Sequence, residues 1–398
     1  MPTMDAVETI EPARVIRPAP LARAFDVPMS QPSLNDDDIQ AVVDVLSGSS
    51  LSMGPQIAAF EREMASYIGA GEGIGVNSGT SGLHLCLSAL EVGPGDEVIT
   101  SPFSFVASAN CAIYVGARPV FADIDRETLN LDPERVAAAI TPKTRTVLPV
   151  DVFGQPADLD AISTLATRHR LSVVQDSCEA IGAERNGVRI GAAADAAVFA
   201  FYPNKQMTTG EGGMIVTSNP DLARVMRSQA NQGRDDAGTW MNHVRLGFNY
   251  RLDEMSAALG RSQLARIDRI LDRRSRVAAW YDERLGSISG IGTPFVAPET
   301  TRMSWFVYVI RTEDGVDRDG LVTELAAQGI PSRPYFVPIH LQPYYRNTFG
   351  YKPGDFPVTE EVAARTIALP FFTDMTQDQV DLVGTRVEQS LARLSPTR

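Results

Sequence analysis

Between Val27 and Leu264 short apolar runs alternate with helical patterns, and that alternation constrains the fold more than any other feature of the chain. Strands joined through helices need crossover connections, and crossovers cover both faces of a largely parallel sheet. Seven runs qualify as strands of one sheet: residues 73–76, 97–100, 118–121, 146–150, 171–175, 197–201 and 213–217. Residues 253–285 then read as long helical material with Leu259, Leu264, Ile267, Ile270 and Leu271 on one stripe, bridging to a smaller unit. That unit is expected to hold a strand at 305–311, a helix at 320–328 and a final helix at 377–394. The expected fold class is therefore α/β. A loose tail covers 1–24, a large domain 25–264, and the bridging helix with a small C-terminal α/β domain 265–398.

The segment F-A-F-Y-P-N-K-Q-M-T-T-G-E-G-G, from Phe199 to Gly213, sets Lys205 in a loop between an apolar strand and a glycine turn. Desolvation of an amine disfavours its ammonium form and frees a lone pair for attack on a carbonyl. Most loop lysines are solvated and have no such role, so the surroundings of Lys205 decide its reading. Upstream, L-S-V-V-Q-D runs a buried strand straight into Asp176. Ligands in open α/β sheets collect outside the carboxyl ends of strands, so Lys205 and Asp176 can share one crevice. A lysine that forms a Schiff base with a pyridoxal ring needs an anion at the ring nitrogen, and Asp176 suits that task. Alone, Asp176 is as readily a helix cap or a surface acid.

Two further stretches add to this pair. Asn77-Ser78-Gly79-Thr80-Ser81-Gly82 precedes the apolar run Leu83, Leu85, Leu87, Ala89, Leu90, so small residues open a helix. Free N–H groups and hydroxyls at a helix N-terminus hold a phosphate, although a simple cap is their commoner use. The chain carries no G-x-x-x-x-G-K-[ST], so a nucleotide P-loop is not the reading. Phe105, in Pro102-Phe103-Ser104-Phe105 after the run at 97–100, can offer an aromatic face to a flat ring, where the plainer reading is a core phenylalanine.

Taken in order, these motifs resemble the sugar aminotransferases of DegT/StrS type, which have the aspartate-aminotransferase-like fold of pyridoxal-phosphate enzymes. The resemblance runs from about Pro28 to about Leu394, through S-L-S-M-G-P-Q-I-A-A-F-E, N-S-G-T-S-G-L, D-V-F-G-Q-P-A-D-L-D, Q-D-S-C-E-A-I-G-A, the Lys205 segment, L-G-F-N-Y-R-L-D, S-W-F-V-Y-V and P-I-H-L-Q-P-Y-Y. It implies that pyridoxal 5'-phosphate is the cofactor, Lys205 its Schiff-base lysine and proton carrier, and Asp176 the partner of the pyridinium nitrogen. Phe105 would stack on the ring, Gly79, Thr80 and Ser81 would hold the phosphate, and Glu179 would lie near the phenolic oxygen. Asn249 resembles the residue that members send to the neighbouring subunit's phosphate, which implies a homodimer with shared active sites. His340 matches a position that often faces the sugar, with Arg333 and Tyr335 just before it.

The departures from the family pattern are informative. Ala200 stands where many members have a phosphate-binding serine, Glu179 where they often have Gln or His, and Asp151 where others have a histidine before the Phe-Gly step. Glu179 and T-T-G-E-G-G are similar to members that look like perosamine synthases. The implied substrate is a nucleotide-linked 4-keto-6-deoxyhexose and the implied amino donor is glutamate, for surface-polysaccharide or secondary-metabolite amino sugars. A dehydratase branch with histidine in place of the lysine is the second reading, and a non-catalytic regulatory or binding protein of the same fold is the third. Lys205 argues against both.

Composition agrees with this class. Among 398 residues the net charge is −13, without a basic cluster, which disfavours nucleic acid and anionic membrane as partners. Cys86, Cys111 and Cys178 lack C-x-x-C spacing, and the four histidines have no zinc-ligand spacing, so neither disulfide nor metal is expected. No run of 18 apolar residues occurs and the first 24 residues lack a secretory pattern, so a cytoplasmic location is expected.

Overall fold

The computed structural model describes residues 26–235 and 241–394. The tail expected over 1–24 lies outside the described residues. Seven strands form the main sheet: β1 (Glu72–Val76), β2 (Glu97–Thr100), β3 (Arg118–Phe121), β4 (Thr144–Leu148), β5 (Ser172–Asp176), β6 (Ala196–Ala200) and β7 (Gly213–Thr217). Every expected strand is present, with ends moved by at most two residues. Their order is β1-β7-β6-β5-β4-β2-β3. The run from β3 to β6 is parallel, whereas β7 is antiparallel to both β6 and β1. Val98, Val147, Leu148, Val174, Val198, Ile215 and Val216 are all buried, as expected of strands covered on both faces.

Helix α1 (Gly79–Ala89) follows β1 directly, and the Ser78 side chain caps it by accepting the Ser81 N–H. Gly82 lets this helix press on the sheet, since a Cβ there would come 2.7 Å from Val198 Cγ1. The helical stretch expected over 253–285 is two helices, α2 (Glu254–Leu264) and α3 (Ile267–Leu285). Arg266 leaves helical geometry between them, and its guanidinium turns back to the Ser33 carbonyl and the Asp38 carboxylate. Among the described residues, no helix is long and apolar enough to cross a membrane.

A second, antiparallel sheet comprises β8 (Ile291–Gly292), β9 (Tyr308–Thr312) and β10 (Thr366–Leu369). Helices α4 (Arg318–Ala327) and α5 (Gln377–Leu394) pack against each other beside it. Alternation along the chain here joins two cores. Tyr308 and Ile310 enter one with Tyr281, Leu321 and Ile367, whereas Val307 and Val309 enter the core of the main sheet.

The strand expected from 305 begins at Tyr308 because the carbonyls before it are used elsewhere. Arg274 of α3 is 2% exposed; its Nε donates to Trp305 O at 2.6 Å and its Nη2 to Phe306 O at 2.7 Å. Its Nη1 donates to Thr373 Oγ1 at 3.1 Å, and the guanidinium carbon lies 4.8 Å from the centre of the Phe371 ring. Burial pulls this guanidinium down to about 9, with Asp374 acting in the opposite direction.

An Arg274→Met substitution keeps the volume but strands two buried carbonyls. It is expected to cost about 3 kcal/mol or more and to lower the thermal midpoint by several degrees in calorimetry. An unchanged midpoint would show that these bonds carry no net stability.

Candidate active site

The carboxyl ends of β5 and β6, the N-terminus of α1 and the segment before β9 converge on a cavity of about 430 Å³. Gly79, Thr80, Phe105, Asp176, Glu179, Lys205 and Tyr335 all line it. Sequence reasoning had assembled these seven from segments up to 256 residues apart.

Asp176 ends β5 and is 5% exposed. Ser108 Oγ donates to its Oδ2 at 2.7 Å and the Cys178 N–H to its Oδ1 at 3.2 Å. Ser104 Oγ, on the cavity wall, lies 2.8 Å from Ser108 Oγ, so two hydroxyls link the buried carboxylate to the cavity. These serines were not selected from the sequence. Their i, i+4 spacing at the start of the helix Ala107–Tyr114 was the available signal.

Lys205 Nζ lies 3.5 Å from Glu179 Oε1 and 3.8 Å from the centre of the Phe306 ring. The side chain is largely closed to water there, with a carboxylate and an aromatic face as its neighbours. Glu179 Oε2 accepts the Phe153 N–H at 2.9 Å. Burial raises the Glu179 carboxyl above the usual range, while Lys205 and the Phe153 N–H oppose that rise. Phe306 was another omission, because nothing in the local pattern marks one aromatic before a strand as facing a lysine.

Phe306 is brought there by the turn after β4. Gly154, at φ +98°, lies so close to Ser304 that a Cβ would sit 1.5 Å from its carbonyl oxygen. The Ser304 N–H donates to Gly154 O at 3.1 Å and the Phe306 N–H to Phe153 O at 3.3 Å. Only glycine fits this approach.

The remaining expected residues lie off the cavity wall. Ser81 is 8% exposed, and its hydroxyl donates to Asn77 Oδ1 at 2.7 Å, so the capping residue Ser78 takes its place on the wall. His340 is 0% exposed: its Nε2 lies 3.0 Å from Glu360 Oε1, and its ring packs edge-on against Phe356. Burial lowers its proton affinity, with Glu360 opposing, and a ring without exposed surface does not face a sugar. Arg333 is exposed and its backbone pairs with Ala368, at the edge of β10. Tyr335 does line the cavity, and its hydroxyl is pushed up to about 12 by burial and then by Glu179, with Arg333 opposing. Asn249 is exposed on the segment that bridges to Asn231 and does not reach this chain's cavity.

Residues 32–388 match the model of the DegT/DnrJ/EryC1/StrS aminotransferase family. The GDP-perosamine synthase of Caulobacter vibrioides is 37% identical over 369 residues, covering 92% of this chain and 98% of that protein. Streptomyces venezuelae DesV, solved with a ketimine intermediate, superposes with a TM-score of 0.87 at 37% identity over 94% of this chain and 99% of that one. A Streptococcus pneumoniae protein solved in its PMP form has a TM-score of 0.88 at 28% identity, covering 93% of this chain and 100% of that one. The chain belongs to the DegT/DnrJ/EryC1/StrS aminotransferase family. It is an aminotransferase of the pyridoxal-phosphate class.

The cavity also bears on thiol chemistry. Cys178 borders it, while Cys86 and Cys111 are fully buried, and burial pushes all three thiols up, helped by Asp176 at Cys111 and Cys178. A thiol raised above its ordinary value stays protonated at pH 8 and is a poor nucleophile. Native protein treated with dithionitrobenzoate at pH 8 should react at least roughly tenfold more slowly than free cysteine, and three thiols should appear on denaturation. A rapid native thiol would contradict this account of the pocket.

Proposed function

We propose that this aminotransferase moves an amino group from glutamate to C4 of a nucleotide-linked 4-keto-6-deoxyhexose. The product is an amino sugar for surface polysaccharide or a secondary metabolite, and the enzyme works as a cytoplasmic homodimer. One observation carries the reading: a lysine amine, a buried strand-end carboxylate and a helix N-terminus converge on a single cavity.

The residues present fit pyridoxal phosphate. The first N–H groups of α1 have no intrahelical acceptor, and Gly79 leaves them open to a bound anion. A Cβ at Gly79 would come 2.7 Å from Cys178 Sγ and 2.9 Å from Ala200 Cβ, so the cradle tolerates no side chain there. Asn204, also on the wall, has a buried Oδ1 without a partner among the described residues, which suits a pocket completed by a ligand. When bound, the cofactor supplies an electron sink for the carbanion formed at the donor's α-carbon.

This chain's residues supply the rest. Asp176, fixed by Ser108 and the Cys178 N–H, is the anion for the ring nitrogen. Thr80 and the N–H groups of Gly79 and Thr80 would hold the phosphate, with Ser78 on the wall in the place expected of Ser81. Phe105, 62% exposed at the mouth, is free to close over the ring. Lys205, once neutral, takes the proton from the donor's α-carbon and returns it in the second half-reaction. Glu179 balances the lysine's charge while the amine is protonated and would be the carboxyl nearest the phenolic oxygen on this reading.

The dimer is supported by exposed apolar side chains, Phe105 and Tyr202 on the cavity wall and three more on the segment that leads to Asn249. Phe105, Tyr202, Met241, Val244 and Leu246 are exposed, Leu246 at 81%, in excess of what a free surface favours. Asn249 follows them on an outward-facing segment and would reach the neighbouring subunit's phosphate. The large unit would then comprise residues 25–264 and the small one 265–398.

Lys205→Ala should abolish borohydride trapping of the cofactor and lower turnover roughly a thousandfold. Trapping on another peptide would remove Lys205 from its role. Asp176→Ala should keep the trapped lysine yet lose roughly a hundredfold in turnover, and unchanged turnover would exclude the assigned partner. Incubating the pyridoxamine form with 4-keto and 3-keto nucleotide sugars, with mass analysis, should yield the C4 amine. A C3 amine or a dehydrated sugar would overturn the substrate assignment.

A further inference from the structure

We propose that Asp151 is a positioning residue for Asp176: its buried carboxylate gathers the side chains on both sides of Asp176 and so fixes how the Asp176 carboxyl enters the cavity. This rests on the reading of Asp176 as the partner of the cofactor's ring nitrogen.

Asp151 is 0% exposed. Its Oδ2 accepts from Ser177 Oγ at 2.6 Å and from Gln175 Nε2 at 3.0 Å. Its Oδ1 accepts from the Ala157 N–H at 2.8 Å and from Gln175 Nε2 at 3.1 Å. Gln175 and Ser177 are the residues immediately before and after Asp176. Successive side chains of an extended segment leave on opposite faces, so these two end on one carboxylate while Asp176 between them faces the cavity. The main chain closes the clasp. The Asp151 N–H donates to Asp176 O at 3.0 Å, and the Asp176 N–H donates to Pro149 O at 2.9 Å. Neither peptide plane beside Asp176 can turn without breaking a buried hydrogen bond.

The chemistry of the partners shows that a carboxylate is wanted. Gln175 Oε1 accepts the Gly191 N–H at 3.2 Å, which leaves its Nε2 for Asp151. Each partner of Asp151 is therefore a donor, matching an ionised acid. Burial works against that charge, pushing the group up to about 6, and the neighbouring Asp176 acts in the same direction. Neither Asp151, Gln175 nor Ser177 lines the cavity, so the group serves the site only through Asp176. The turn that starts at Asp151 also carries Phe153, whose N–H and C=O hold Glu179 and Phe306, the two neighbours of Lys205 Nζ.

Two variants of the holoenzyme test this. Asp151→Asn sets an amide NH₂ against donors, and Ser177→Ala removes one arm without touching the cavity. Both should melt cooperatively and hold cofactor at one per chain. Asp151→Asn should shift the absorbance maximum of the bound cofactor and lower kcat roughly 10- to 100-fold, with KM for the donor within about twofold. Ser177→Ala should move both readouts the same way by less, and the double variant should be no worse than Asp151→Asn. Altered melting with wild-type spectrum and kcat would show that Asp151 serves packing alone. If Asp151→Asn does not fold, Ser177→Ala decides by the same two readouts. Wild-type turnover in Asp176→Ala would defeat the underlying reading, whereas its loss there with unaffected Asp151 and Ser177 variants defeats only this inference.

Discussion

The site depends on a guanidinium that donates to two main-chain carbonyls. Arg274 reaches from α3 to Trp305 and Phe306, the residues that would otherwise begin β9. Those carbonyls are thereby satisfied without a sheet partner, and the segment is free to lie against the turn at Phe153–Gly154 instead. Phe306 then presents its ring to Lys205 Nζ. A contact made outside the cavity thus sets the surface beneath the reactive amine. It also joins the second sheet to the first, because β9 sends alternate side chains into both cores.

Charge within the cavity sets a further constraint. Its wall carries Asp176, Glu179 and Glu211 against the single amine of Lys205. Such a wall cannot hold a phosphate by opposite charge, and on the proposed reading backbone N–H groups and hydroxyls at the start of α1 would meet the anion. On that reading Ala200, which offers no hydroxyl, leaves more of the task to that helix terminus. The two buried acids are committed to donors, Asp176 to Ser108 and Cys178 and Glu179 to Phe153 and Lys205, while Glu211 is exposed. Carboxylates so near one another are tolerable only because their lone pairs are taken.

The sequence made the frame legible because buried strands and amphipathic helices write their periodicity into the chain. All seven strands of the main sheet and the final helix could be placed from it, and Lys205, Asp176 and Gly79 could be grouped because each follows a strand or opens a helix, whereas Glu179 came from the family resemblance. Tertiary choices were not legible. His340 was expected to face a sugar, yet its surroundings are set by Phe356 and Glu360, which a later helix folds over it. Ser81 was indistinguishable from Ser78 in a run of small residues, and only the cap geometry separates the two. The helix break at Arg266 reflects its pairing with Asp38, at a sequence separation no periodicity can register.

Three buried ionisable groups hold this site in shape against a cost. Asp151 and Glu179 are raised by burial and Arg274 is lowered by it, so each is penalised in its charged form. The sign for Asp151 follows from linkage. A folded-state value of about 6 above an ordinary 3.8 makes the protein's stability fall as pH rises through that interval, by on the order of 3 kcal/mol once the group is ionised. Apolar residues of similar volume would avoid such a penalty. They would also leave the Gln175 amide and the Ser177 hydroxyl, both buried, without an acceptor, and the peptide planes around Asp176 free to turn. Where the fold gives up stability, at Asp151, Glu179 and Arg274, it gains direction for the groups that face Lys205 and Asp176.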